Sequence, residues 1–341
     1  MRCAKRFVTS RRRRALLAVA AAFAIPWPQS AAGAAPALPP EADAFAAEVA
    51  ERNGLAAREV RALLAQARVQ TGILRAMMQP ATSRTWREYR PVYLNPKRIA
   101  GGIEFWNAHR ATVEAASAKF GVPAELIVSI IGVETFYGRV TGAHRVLDAL
   151  YTLAFAYPPR AGLFRAELEN FILLARELEL DPLKLRGSFA GAMGIPQFLP
   201  SSYRKFAVDF DSDGRVDLWR PADAIGSVGS YFRAFGWRTG APVIAAAAVD
   251  GTEYRGLIER GIKPELTLAR LAELGVTPQS ELDPQALAAV IETEGADGIG
   301  YWVALENFYV ITRYNRSVNY ALAVHELAEA LRAARGGTPA G

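Results

Sequence analysis

The stretch FGVPAELIVSIIGVETFYG, Phe120 to Gly138, restricts the fold more than any other part of the chain. Pro123 suits the first position of a helix, Glu125 suits the positive end of its dipole, and Gly138 offers a stop, so a helix is expected between them. Ile127, Ile130, Ile131 and Glu134 recur at spacings of three, four and seven, which puts one carboxylate on the same stripe as three isoleucines. That stripe faces inward, where a charged carboxylate is costly unless something compensates. Two compensations are open. Glu134 either pairs with a cation such as Arg139 or Arg145, or has its pKa raised by burial near Phe136 and Tyr137, as a general acid working near neutral pH requires.

The remainder reads as mainly helical. EADAFAAEVAERNG, REVRALLAQARV and IEFWNAHRATVEAASAKFG carry helical apolar spacing and end at Gly or polar breaks, and SVNYALAVHELAEALRAARGG is an amphipathic helix at the end. Between about Ala241 and Tyr309 the texture changes. PVIAAAAV, ALAAVIETE and GYWVAL read as short strands around a helix TLARLAELG, so a small mixed insertion is expected. With 341 residues, 51% of them hydrophobic, the chain can bury a sizeable core.

The first 35 residues stand apart. A basic segment MRCAKRFVTSRRRR, an apolar run ALLAVAAAFAIPW and the small residues Ala32 to Ala34 form the pattern of a cleaved signal peptide, and the apolar run is short for a bilayer span. The net charge of +6 depends on this segment: it holds seven of the 40 basic residues and no acidic ones, leaving 33 against 34. A nucleic-acid partner is therefore not indicated. Cys3 is the single cysteine, and it precedes the apolar run rather than ending it as a lipoprotein cysteine does, so a soluble exported protein without disulfide or thiol nucleophile is expected. His109, His144 and His325 lack zinc spacing, and neither a GxSxG elbow nor a Walker loop is present.

GVETFYGRV together with GSFAGAMGIPQFLPSSYRKFAVDFDSDGRVDLW, Gly187 to Trp219, closely resembles the lytic murein transglycosylase B family. VLDALYTLAF, DAIGSVGSYF and NFYVITRYNRSVNYALAV extend the resemblance over nearly all of the chain after the leader. It implies a mainly α protein with a lysozyme-like catalytic core, which divides the chain into a signal peptide (1–35), an N-terminal helical region (36–105), the core with an EF-hand-like loop (106–240), the mixed α/β insertion (241–306) and a C-terminal segment returning to the core (307–341). It also implies a peptidoglycan lyase in the periplasm, with Glu134 as acid and base and no cofactor for catalysis. Ser188, Gln197, Phe198, Tyr231, Tyr314, Asn315 and Tyr320 match family residues lining the sugar cleft, although Tyr231 and Tyr320 also read as ordinary helix core. Gly191 and Gly194 read either as a turn approaching substrate or as a simple tight turn. Pro159 and Leu163 depart from some relatives, which carry Arg and Tyr there. The expected partners are glycan strands of peptidoglycan, with cell-wall synthases or other hydrolases as companions, and the protein is expected to be a monomer.

DFDSDGRVD matches the first half of an EF-hand loop, with Asp209, Asp211 and Asp213 at positions 1, 3 and 5, Gly214 at 6 and the Arg215 carbonyl at 7. Position 12 is Arg220, which cannot ligate a cation, and the resemblance points to a longer loop closed by Asp223. A structural Ca2+ is expected; an Asp-rich turn with helix-capping acids is the competing reading. Two other functions stay open: a hydrolytic muramidase with a second carboxylate such as Asp148, and a calcium-stabilised glycan-binding scaffold without turnover.

Overall fold

The computed structural model describes residues 37–78 and 84–336, so the expected signal peptide, with Cys3, lies outside the described residues. Helices α1 (Pro40–Asn53) and α2 (Ala57–Leu64) pack together, and α3 (Thr71–Met77) lies on the core. Next come α4 (Trp86–Tyr93), opened by a Thr85/Glu88 capping box, then α5 (Pro96–Ala108) and α6 (Arg110–Phe120). The sequence pattern predicts one helix through the last two. The chain instead breaks at His109, which leaves helical geometry (φ −118°, ψ 27°) with its ring 4.7 Å from that of Phe105.

Helix α7 (Ala124–Thr135) is the centre of the molecule. Every residue from Leu126 to Val133 is buried, so the predicted inward stripe widens to the whole circumference. The helix is enclosed by α5, α6, α11 (Pro221–Ala234) and α15 (Val318–Ala334). Each large aliphatic side chain it buries contributes about 1.5–3 kcal/mol relative to exposure. Its one polar group in that span, the Ser129 hydroxyl, donates to the Val324 carbonyl of α15 at 2.6 Å. Outside this centre, α8 (Val146–Ala156) packs on α9 (Ala161–Glu177), which in turn carries α10 (Pro200–Phe206). A two-residue ladder, β1 (His144–Arg145) with β2 (Arg186–Gly187), ties the segment after α7 to the loop after α9.

Between Ile244 and Leu305 the chain forms strands and short helices. Strands β3 (Ile244–Val249), β4 (Leu266–Thr267), β5 (Val276–Pro278), β6 (Leu287–Gly295) and β7 (Gly298–Leu305) form an antiparallel sheet in the order β4-β6-β7-β3-β5. Helices α12 (Tyr254–Glu259) and α13 (Leu268–Glu273) supply Leu257, Leu268 and Leu271 to a second small core with Val276, Val290 and Val303. From Leu38 onward the sheet and the helices belong to one compact unit. Among the described residues no single helix is long and apolar enough to cross a membrane.

Buried Asn307, in α14 (Glu306–Tyr314), joins the two points where the chain crosses between sheet and helices. Its Oδ1 accepts from the Arg238 N–H at 2.9 Å, and its Nδ2 donates to the carbonyls of Arg238 and Ala241, both at 2.9 Å. Asn307→Ala strands these buried backbone groups and should cost about 2–4 kcal/mol of stability. Urea unfolding checks this; a loss below about 0.5 kcal/mol would show that water replaces the side chain there.

Candidate active site

Glu134 occupies the last turn of α7, and the backbone beyond it is unusual. Phe136, Tyr137 and Gly138 all have left-handed φ, at 50°, 62° and 82°, so the helix ends at Thr135, before the predicted stop at Gly138. Left-handed geometry costs a non-glycine residue roughly 1–2 kcal/mol, and local contacts offset it. The Phe136 N–H bonds the Gly132 carbonyl at 3.1 Å, the five-to-one bond of an αL ending, and the Tyr137 N–H reaches further back to the Ile131 carbonyl at 3.2 Å. The Tyr137 ring lies against Gly101, Gly102 and Gly132, and its hydroxyl donates to the Arg98 carbonyl at 2.9 Å. The Arg98 guanidinium in turn donates to the Gly132 carbonyl, putting a cation at the negative end of α7. Thr135 donates to the Ile195 carbonyl at 2.9 Å, which fixes the 187–198 loop beside the acid.

The carboxyl group is half-buried and receives a hydrogen bond from the Tyr320 hydroxyl at 2.5 Å. Burial raises its pKa from 4.5 to about 7, and the Tyr320 bond, which favours the anion, opposes that rise. Tyr320 is held well above the ordinary tyrosine range by burial and by the adjacent Glu134 charge, so it remains a donor. The ion-pair reading of Glu134 is not realised. Arg139 pairs with Glu104 at 3.1 Å, and Arg145 pairs with Asp148 at 2.5 Å.

The structure gathers Tyr320, Tyr314, Tyr231 and Phe198 into one aromatic wall. Tyr320 stacks on Tyr314 (6.5 Å between centroids, 15° between planes), Tyr314 meets Tyr231 at 4.7 Å, and Tyr231 meets Phe198 at 5.5 Å. Phe198, Tyr231 and Tyr320 are buried, whereas Tyr314 is half-buried. Tyr231 donates to the Arg313 carbonyl and Tyr314 to the Pro196 carbonyl, each at 2.6 Å. Tyr231 and Phe198 therefore support the wall from behind. The polar members have partners of their own. Ser188 Oγ accepts from the N–H groups of Ala190 and Ala192, leaving its O–H to offer. Gln197, at φ 53°, donates from Nε2 to the carbonyls of Thr141 and Gly194, leaving Oε1, and exposed Asn315 accepts from Ser317 through Oδ1, leaving Nδ2. Gly191 and Gly194 are needed because the protein's own chain comes close: a Cβ would lie 2.4 Å from Leu150 and 2.5 Å from Leu218.

Sequence reasoning missed Arg98 and the pair Tyr89 and Tyr93, whose rings are 4.9 Å apart. Burial raises the Tyr89 pKa, with Tyr93 and the Glu134 charge adding to the rise. The capping box before WREYRPVY was the available signal for that helix. Asp148 is held by the Arg68 N–H at 2.9 Å as well as by Arg145, which commits it to joining the N-terminal helices to the core. A cavity of about 850 Å³ between the sheet and α15 is lined by Trp237, Asn307 and His325, and Glu134 is not among its lining residues.

In the EF-hand-like loop, carboxylate oxygens of Asp209, Asp211 and Asp223 lie within 4.8 Å of one another. Asp223, in the first turn of α11, is buried and accepts from the N–H groups of Phe210 (2.8 Å) and Asp217 (2.7 Å). Burial, with Asp209 and Asp211 nearby, raises its pKa. Asp213 accepts from the Arg215 N–H at 2.9 Å. Converging hard oxygens of this kind fit Ca2+.

The Glu134 shift has a consequence for stability. Its folded pKa of about 7 exceeds the ordinary 4.5, so the stability associated with the protonated form is complete below about pH 4.5 and is lost as pH rises through about 7. Glu134→Gln cannot ionise. It should therefore gain up to roughly 3 kcal/mol over the wild type at about pH 8.5 and little at about pH 4.5. Denaturant unfolding at both pH values checks this, and equal gains at the two would refute the burial of the charge.

Comparison with known proteins agrees with this geometry. The family model described as transglycosylase SLT domain matches residues 38–329. The membrane-bound lytic murein transglycosylase B of Escherichia coli K12 is 43% identical over 306 residues, covering 87% of this chain and 84% of that protein. The soluble lytic transglycosylase SltB1 from Pseudomonas aeruginosa superposes with a TM-score of 0.82 at 48% identity, covering 87% of this chain and 100% of that one. The Escherichia coli lytic transglycosylase Slt35, solved in complex with calcium, superposes at 0.79 and 43% identity, covering 87% and 94%. With its mainly α, lysozyme-like core and a match over almost every described residue, the chain belongs to the transglycosylase SLT domain family.

Proposed function

We propose that the chain is a lytic transglycosylase that cleaves the MurNAc–GlcNAc β-1,4 bond of peptidoglycan without water, leaving 1,6-anhydroMurNAc ends. One observation carries the reading: a half-buried carboxyl group poised near pH 7, held at 2.5 Å by Tyr320 and backed by a wall of aromatic rings. A pKa near the working pH lets one group serve as acid and then as base. Protonated Glu134 gives its proton to the bridging oxygen as the bond from C1 of MurNAc breaks, and the acetamido oxygen of the same sugar supports the developing cation. The Glu134 carboxylate then takes the proton of the C6 hydroxyl as O6 closes on C1. That hydroxyl is tethered to the reacting sugar, so attack gains from proximity. The half-buried Tyr314 presents a ring to sugar, while the Ser188 O–H, Gln197 Oε1 and Asn315 Nδ2 hold the acetamido and hydroxyl groups.

The muramidase alternative requires a second carboxylate near the bond, as nucleophile or as base for water. Asp148 is committed to Arg145 and the Arg68 N–H, which disfavours it for that work. Residues 1–35 direct export to the periplasm, where the substrate lies. Calcium, held by Asp209, Asp211, Asp213, Asp223 and the Arg215 carbonyl, neutralises the loop and takes no part in the chemistry.

Digestion of purified sacculi in heavy-oxygen water tests the reaction. New ends should be unlabelled and resistant to borohydride, and lighter by one water than those of a muramidase; labelled, reducible ends would overturn the lyase reading. Glu134→Gln should retain less than about one hundredth of the wild-type turnover.

A further inference from the structure

We propose that Arg220 is a built-in counter-ion of the Asp209–Asp223 loop, which holds the loop together without metal and competes with calcium for the same carboxylates. The inference rests on the calcium reading above. Arg220 stands at position 12, where an EF-hand loop has a bidentate carboxylate. Its guanidinium reaches back across the loop to pair with Asp211 at 3.2 Å and with Asp213, the residues at positions 3 and 5. Pro221 follows directly and Arg220 caps α11 in an extended conformation (φ −92°, ψ 133°), so the backbone aims the side chain at the loop.

The loop's other arginine, Arg215, forms no ion pair with these carboxylates among the described residues, so Arg220 is the cation that meets them. Asp209 and Asp213 take backbone N–H groups, from Gly214 (2.9 Å) and Arg215 (2.9 Å), which orient the carboxylates without cancelling their charge. Converging carboxylates repel one another unless a cation is present, and Arg220 provides one as part of the chain. A calcium ion that used Asp211 and Asp213 would have to displace the guanidinium and then tolerate its charge nearby. The Arg220 side chain is about half exposed (51%), so it is free to swing into solvent when displaced. Arg220 thus trades calcium affinity for a loop that keeps its shape when calcium is scarce.

The test compares the full chain with Arg220→Gln and Arg220→Lys, by calorimetric titration with calcium chloride and by thermal unfolding with and without chelator. Arg220→Gln should bind calcium about tenfold more tightly, reflecting the loss of two exposed ion pairs and of like-charge repulsion. Its metal-free form should melt below the metal-free wild type, and saturating calcium should raise its midpoint by more than it raises the wild type's. Arg220→Lys, which keeps the charge, should stay near the wild type in both measurements. Equal calcium affinity in the wild type and Arg220→Gln would overturn the role of Arg220 while leaving the calcium site standing. Flat titrations in both would instead remove the calcium reading, and this inference with it.

Discussion

The end of helix α7 is the constraint on which the rest of the site depends. A helix leaves its last carbonyls without partners, and in the middle of a protein water cannot supply them. Here the Tyr137 N–H on Ile131, the Arg98 guanidinium on Gly132 and the Tyr137 hydroxyl on Arg98 close off that end. Arg98 itself lies partly buried, and its Nε is without a hydrogen-bond partner. The arrangement forces three successive residues into left-handed geometry, and the abrupt turn ends the enclosed helix one residue after Glu134. An acid one turn earlier would be sealed in the core, where Ile130 and Ile131 are fully buried, and one further along would stand on an exposed loop with Arg139 and Val140.

Around that acid the work is divided by depth. Tyr231 and Phe198 are buried, and the Tyr231 hydroxyl is satisfied by a main-chain carbonyl. They fix the position of Tyr314, which in turn stacks on Tyr320. Tyr320 has two effects at once: it locates one carboxylate oxygen and it moderates the rise in pKa that burial imposes. Without that bond the group would hold its proton more tightly and give it up less readily as an acid; with a full ion pair it would be ionised near neutral pH and have no proton to give. A neutral donor gives the intermediate proton affinity that the proposed use of the group as both acid and base requires.

Much of the fold was legible because it rests on local signals. Helical periodicity, Pro123, the strand-like runs of the insertion and the alternating aspartates all stand within windows of a few turns. The parts that were not legible depend on distant partners. Nothing near Gly138 shows that Phe136 and Tyr137 will take the left-handed turn before it, because the rings that make this tolerable pack on Gly101, Gly102 and Gly132. Isoleucine spacing marks one face of α7 but cannot show that helices from both ends of the chain cover the others. Arg220 reads as a defective ligand in the loop pattern; only its reach back to Asp211 and Asp213 gives it a role. The family resemblance proposes the cleft residues, but their division into polar groups at least partly open to solvent and buried aromatic supports is a property of packing.

Polar ties where the chain enters and leaves the sheet help to hold so dispersed a site together. Glu134 and Tyr320 are 186 residues apart in sequence, and the five-stranded sheet lies between them. A long excursion adds little to the entropy of closing a loop, because that cost rises only logarithmically with length. What it endangers is the register of the returning segment, on which Tyr314, Asn315 and Tyr320 are carried. Asn307 guards that register by binding the outgoing segment before β3 at Arg238 and Ala241, and the Leu305 N–H adds a bond to the Val243 carbonyl at 3.0 Å. Ser129 then joins α7 to α15 one turn beyond Tyr320. The sheet can therefore vary in its outer parts without disturbing the acid, since the returning chain takes its position from these buried polar ties.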